Sequence, residues 1–218
     1  MLKVGGASAG GAADAVASLR ATGVSVCVVH GAGPQISDEM ERRGLEVQFV
    51  DGRRVTTPEG LEVVRDSFAG VNADVCAAIG PDAVPLAGDE IGLLATHVPV
   101  LGLVGKPLPT APPRVLRALA EGLVPVVSPL AEGPLNVNAD EAASALAVGI
   151  GADKILFLTD VPGVFHDGWL VRTISAERAE ALVDEGDFDG GIVPKLLAAA
   201  SAARNGLIAE IGVTAVVA

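Results

Sequence analysis

The chain has 218 residues, half of them hydrophobic, and sets 27 acidic side chains against 15 basic ones for a net charge of −12. That length suits one domain, or one domain with two lobes, and the apolar share is enough for a sizeable core. The acidic balance repels phosphate backbones, so nucleic acid is not an expected partner, and a small anionic substrate must meet positive charge supplied locally.

Met1-Leu2-Lys3-Val4 reads as a core strand and not as a signal peptide. It carries Lys3 directly into Gly5-Gly6-Ala7-Ser8-Ala9-Gly10-Gly11, with a helix expected over 12–21. Glycines let backbone N–H groups come close to a phosphate, and the helix start adds its positive end. A plain strand–turn–helix is the competing reading. A lysine in an otherwise apolar strand needs a partner, which favours function. A second buried strand, over 24–29, ends in His30-Gly31-Ala32-Gly33-Pro34 and opens a helix over 35–43. Ligands of open α/β sheets bind at the carboxyl ends of strands, so two such turns suggest two halves of one anion site. His30 lacks a nearby carboxylate or metal partner and reads as structural. The longest uncharged stretch, 21–37, is broken by Gly23, Gly31 and Pro34 and is too short to span a bilayer.

Gly52-Arg53-Arg54-Val55-Thr56 is a paired basic site in an acidic chain. An arginine fork suits a carboxylate; two solvated surface arginines are the alternative. Thr57-Pro58 is a helix start, with a hydroxyl cap followed by proline. Cys27 and Cys76 lack zinc or redox spacing and read as buried, reduced thiols. Residues 106–113 are proline-rich and read as a surface connection. Gly122 terminates the helix before it, and 123–127 reads as a strand despite Pro125, which cannot donate to a ladder.

Asn136, Asn138 and Asp140 alternate as on an extended segment, so all three can face one side before a helix over 139–150. A cap explains one of them, not all three. A strand over 155–158 leads to Thr159-Asp160-Val161-Pro162-Gly163-Val164-Phe165, where a nucleotide base can rest or a simple Pro-Gly turn can form. Asp167-Gly168 reads as a tight hairpin. Gly190-Gly191 precedes a helix over 192–205 whose first turn presents Lys195. Strands alternating with helices argue for an α/β sandwich with a mostly parallel central sheet.

Taken in order from Lys3 to Gly206, these segments resemble the amino-acid kinase family, in its acetylglutamate kinase branch. The most specific blocks are Asn136-Val137-Asn138-Ala139-Asp140, Thr159-Asp160-Val161-Pro162-Gly163-Val164 and Gly190-Gly191-Ile192-Val193-Pro194-Lys195; Gly52–Thr56 and Leu101-Gly102-Leu103-Val104-Gly105 also fit. The resemblance implies a three-layer α/β/α sandwich forming one continuous domain, with residues 1–152 as an acyl-amino-acid lobe and 153–218 as a nucleotide lobe. It implies ATP-dependent phosphorylation of the γ-carboxylate of N-acetyl-L-glutamate in the cytoplasm. Lys3 and Lys195 are then catalytic, and Asp140 organises them. Gly31, Ala32, Gly33, Arg54, Asn136 and Asn138 meet the acyl substrate, with Arg54 on its α-carboxylate. Gly5, Gly6, Thr159, Asp160, Val161, Gly163, Val164, Phe165, Gly190 and Gly191 meet the nucleotide. Magnesium would ride on the ATP phosphates with few or no direct protein ligands.

Three departures qualify the resemblance. Ala32 stands where that branch usually has glycine, so its methyl is expected to crowd the acyl group. An N-terminal helix resembling the arginine-feedback element is missing, which implies an arginine-insensitive homodimer. A helical segment common in the family is also missing near the C-terminus, so a trimmed nucleotide lobe is expected. Two other readings stay open: a carrier-protein-linked aminoadipate or glutamate kinase, which the acidic surface disfavours because its carrier is itself acidic, and a catalytically silent nucleotide-binding module, which would have no need of Lys3, Asp140 and Lys195 together.

Overall fold

The computed structural model describes residues 1–5, 9–159 and 161–218; the expectations placed on Gly6 and Asp160 fall outside them. The chain begins with β1 (Leu2–Val4), α1 (Ala9–Ala21), β2 (Val28–His30) and α2 (Gly33–Arg42). A short hairpin, β3 (Phe49–Val50) and β4 (Arg53–Arg54), leads to the long α3 (Pro58–Ile79). Then come β5 (Ala83–Ala87), β6 (Ala95–His97), β7 (Val104–Pro107), α4 (Pro113–Ala120), β8 (Val124–Ser128), β9 (Leu130–Ala131), β10 (Leu135–Val137) and α5 (Ala139–Gly149). The last third contains β11 (Lys154–Phe157), β12 (Phe165–His166), β13 (Trp169–Leu170), β14 (Thr173–Ser175), α6 (Ala176–Asp184), α7 (Ile192–Arg204), β15 (Ile208–Ile211) and β16 (Thr214–Val217).

Eight strands form one sheet in the order β14, β16, β15, β11, β1, β2, β8, β5. Every neighbouring pair is parallel except β15–β16. Successive strand residues face opposite sides, and the two faces build two apolar clusters. Leu2, Val4, Val28 and Val126 pack with Val16, Ile36 and Val64 of α1, α2 and α3. Val29, Val127, Ile155 and Phe157 pack with Leu146, Leu182 and Leu196 of α5, α6 and α7. This is the expected three-layer sandwich. A second, mixed sheet orders β6, β7, β10 and β9.

Local chemistry explains the boundaries. The Thr57 hydroxyl accepts from the Gly60 amide and Pro58 opens α3. Gly122, at φ 74°, ends α4: its amide bonds Leu119 and that of Leu123 bonds Ala118. Asp167 and Gly168 both have positive φ, as the β12–β13 turn requires. Two strand expectations shift. Residues 24–27 are not in a strand, and β2 starts at Val28. Pro125 sits inside the sheet in β8, yet breaks nothing. The Val124 amide points toward β5, where it bonds Asp82, so the Pro125 nitrogen points toward β2, whose ladder with β8 begins only at Val126. The proline-rich connection is also shorter than expected, because Lys106 and Pro107 complete β7 and Pro113 opens α4.

Candidate functional site

Lys3 lies between Leu2 and Val4, which face the α1–α3 layer, so its side chain faces α5. It is only 5% exposed. A buried ammonium requires a counter-charge, and Asp140 supplies one with Oδ1 at 2.9 Å. Asp140 stands in the first turn of α5, where a carboxylate is favoured by the helix's positive end. Its Oδ2 lies 3.5 Å from the ammonium of Lys195, in the first turns of α7. Two cations thus share one buried anion, leaving a net positive charge. Burial pushes the Lys3 pKa below its ordinary value; Asp140 opposes the shift and Lys195 adds to it.

These groups line a cavity of about 420 Å³ at the carboxyl ends of β1 and β2. Three helices begin on its wall: α2 with Ala32 and Gly33, α5 with Asn138 and Ala139, and α7 with Gly191 and Pro194. Their first N–H groups have no partner within the helix and carry partial positive charge. Gly5 lines the same cavity. The Gly31 amide is taken by Val4 O at 3.0 Å, which fixes this turn to β1.

At the other end stands Arg54, 6% exposed. Its Nη2 donates to Gly33 O at 3.1 Å and to Ser37 Oγ at 2.8 Å, its Nη1 reaches Met40 Sδ at 3.5 Å, and its guanidinium lies 4.5 Å from the centre of the Phe49 ring. Among the described residues it has no carboxylate partner, and burial lowers its pKa. Arg53 turns elsewhere and forms a two-pronged pair with Glu141, at 2.7 and 3.2 Å.

The two asparagines differ in role. Asn136 Nδ2 donates to Thr56 Oγ1 at 3.0 Å. Thr56 is itself held by backbone bonds on both sides, to Leu101 O and from Leu103 N, across Gly102, where a side chain would run into the Thr56 carbonyl. Asn138 caps α5: its Oδ1 accepts from the amides of Asp140 and Glu141, and its Nδ2 donates to Gly52 O in the β3–β4 turn. Both still line the cavity. Ala32 also lines it, at 1% exposure, with its methyl in the apolar cluster that includes Ile36, Met40 and Phe68. His30 is fully buried and is held by Ser128 at 3.1 Å and Asn72 at 3.0 Å, with its pKa pushed down to about 4 by burial. It is a neutral structural group.

A second cavity of about 280 Å³ contains Val161, Gly163 and Phe165, together with Phe188, Asp189 and Ile192. The start of α7 separates the two cavities, with Gly191 on one and Ile192 on the other. Val164 does not line either one: it is 0% exposed, and its amide donates to Thr214 Oγ1 at 2.9 Å. Its alternation with Gly163 and Phe165 turns it inward. Thr159 is half-buried just beyond β11, and Gly190 is exposed with φ 59°; neither is among the residues lining the two cavities.

Sequence reasoning missed Phe49, Phe68, Phe188 and Asp189. A signal was present, since the chain has only five phenylalanines, and four of them line these two cavities. Among the described residues no group of three or more His, Cys, Asp or Glu side chains is arranged to hold a metal, and no helix is long and apolar enough to cross a membrane.

The model of the amino acid kinase family matches residues 1–211. The chain is 42% identical to the acetylglutamate kinase of Rubrobacter xylanophilus, over 97% of this chain and 87% of that protein. It is 40% identical to the acetylglutamate kinase of Geobacillus kaustophilus, over 88% of this chain and 79% of that protein. A crystal structure of a Streptococcus mutans protein superposes with a TM-score of 0.90 at 24% identity, covering 99% of this chain and 97% of the other, which speaks to the fold.

Proposed function

Because this chain belongs to the amino acid kinase family, we propose that it transfers the γ-phosphoryl group of ATP to the γ-carboxylate of N-acetyl-L-glutamate, the substrate named by its relatives. The observation that carries this reading is the pair of lysines on one buried carboxylate, Lys3 at 2.9 Å and Lys195 at 3.5 Å from Asp140.

The step is an in-line displacement. A γ-carboxylate oxygen attacks the γ-phosphorus, the bond to the β-phosphate oxygen breaks, and ADP leaves. The acceptor is already ionised, so no side chain must remove a proton. What remains is alignment and the neutralisation of charge on the moving group. Lys3 and Lys195 hold positive charge toward the equatorial oxygens, and Asp140 fixes their amines so that no reorganisation is needed. The uncapped start of α7 adds its partial charge. The buried fork of Arg54 binds the substrate's α-carboxylate. Asn136 and Asn138 border the acyl group, with Gly31, Ala32 and Gly33 along its other side. Gly5 and Gly191 approach the phosphates, while Val161, Gly163 and Phe165 bound the base. Thr159 and Gly190 belong to the same nucleotide region, residues 153–218, and residues 1–152 serve the acyl substrate. Magnesium bound to ATP would supply further charge neutralisation; among the described residues the cavity's one carboxylate, Asp140, already pairs with Lys3 and Lys195, so few or no side chains there would hold the ion directly.

In this reading the protein works in the cytoplasm as a homodimer. Strand β5, paired on one side only, leaves a sheet edge that suits a second copy, and light scattering tests that. A carrier-linked acceptor and a silent module are the weaker readings beside relatives that are themselves acetylglutamate kinases and are matched over 87% and 79% of their length. ADP release measured with N-acetyl-L-glutamate, N-acetylaminoadipate and glutamate in parallel, with hydroxylamine trapping the acyl phosphate, tests the proposal. Turnover and trapping with N-acetyl-L-glutamate are expected. Absence of both, with folded protein, would contradict it.

A further inference from the structure

Between α5 and α7 lies a third cavity, also of about 280 Å³, separate from the two above. Val148 of α5 and Leu197 and Ala198 of α7 form its apolar wall. Ser144 lines it from α5, is 3% exposed, and its hydroxyl has no hydrogen-bond partner among the described residues. A serine inside a helix ordinarily bonds the carbonyl one turn back or faces water; this one does neither. An orphan hydroxyl in a buried place is costly unless something fills the site. Lys106 of β7 also lines the cavity, is exposed, and has no ion pair among the described residues. Arg53 completes the charged end, but Glu141 balances it at 2.7 Å. The local excess is therefore a single positive charge, in a protein whose net charge is −12.

We propose that this cavity is a second small-molecule site, for a short-chain monocarboxylate. The carboxylate is met by Lys106 and accepts a hydrogen bond from Ser144, and the hydrocarbon part lies against Val148, Leu197 and Ala198. A dianion would exceed the available positive charge, and a cation would be repelled by Lys106. The site is also coupled to catalysis by construction. Helix α5 carries Asp140 in its first turn and α7 carries Lys195, so the spacing of the two helices sets the 3.5 Å separation of those groups. Arg53 lines this cavity and the catalytic one alike. A ligand wedged between α5 and α7 therefore alters turnover. That last step rests on the kinase reading, whereas binding does not.

Calorimetric titration of the intact protein with hexanoate, hexanol and hexylamine, without nucleotide, tests the site. Hexanoate is expected to bind at least tenfold more tightly than the other two. Saturating N-acetyl-L-glutamate leaves it in place, and Arg54→Ala does not change its affinity. Ser144→Ala and Lys106→Glu each weaken it about fivefold; Lys106 is exposed, so that variant folds normally. No binding of hexanoate, equal affinity for the three probes, displacement by N-acetyl-L-glutamate, or unchanged affinity in Lys106→Glu would overturn the proposal.

Discussion

Replacing Asp140 with asparagine keeps the volume and removes the charge that two lysines share. Lys3 and Asp140 are each 5% exposed and 2.9 Å apart. Removing one partner of a buried ion pair leaves the other charge uncompensated, at a cost of about 3–5 kcal/mol. In a domain of this size each kcal/mol lowers Tm by about 2–4 °C, so Asp140→Asn is expected to melt roughly 6–20 °C below the parent. The pH dependence carries the specific signature. Burial already holds the Lys3 pKa below 10.5, and the loss of Asp140 lowers it further. The unfolded chain then binds more protons than the folded one, so stability rises with pH up to the unfolded pKa. The deficit of Asp140→Asn should therefore shrink between pH 7 and about 10, because Lys3 sheds the proton that makes its burial costly. Thermal unfolding followed by circular dichroism across that range measures it. Adding Lys3→Met to Asp140→Leu should restore most of the lost stability. A deficit below about 1 kcal/mol, or one independent of pH, would refute the reasoning.

Other expectations follow from single residues. Arg54→Ala should raise KM for the acyl substrate by about 10- to 100-fold, as loss of a charge-assisted bond predicts, and leave KM for ATP nearly unchanged, in steady-state kinetics. His30 has its pKa pushed down from 6.5 to about 4, so the folded state resists a proton the unfolded chain accepts. Stability is then full above pH 6.5 and falls by about 3 kcal/mol as pH drops to 4; His30→Gln should flatten that slope in denaturant titrations. Asn138→Ala removes the α5 cap and the tie to Gly52, and should cost about 1–2 kcal/mol in chemical unfolding. Asn138→Asp keeps the cap acceptor and should recover about half of that.

The sandwich was legible because buried strands and alanine-rich helices leave strong patterns, as at Ile155–Leu158 and 139–150. Lys3 announced itself as a charge in an apolar run, and its partner could be guessed only from the resemblance. What sequence did not yield were facts that depend on direction. Asn138 is a cap as well as a cavity residue because its oxygen meets two amides while its nitrogen crosses to Gly52. Val164 belongs to the core because alternation turns it inward between two cavity-lining neighbours. Strands β5 and β7 carry Pro85, Gly105 and Pro107, which mask the strand period. The distinction between Arg53 and Arg54 came only from the resemblance, since composition and spacing treat the pair alike and it is packing that sends one to Glu141 and the other to Ser37.

The central claim is that two distant cations act together on the migrating phosphoryl group. Single-turnover and steady-state kinetics of Lys195→Ala and Lys3→Ala, with N-acetyl-L-glutamate and magnesium ATP, test it most directly. If both amines stabilise the transition state, kcat falls about 10²- to 10³-fold in each while both KM values stay within about threefold. An unchanged kcat in either variant, or a rise in KM alone, would show that the charge binds substrate without driving the transfer.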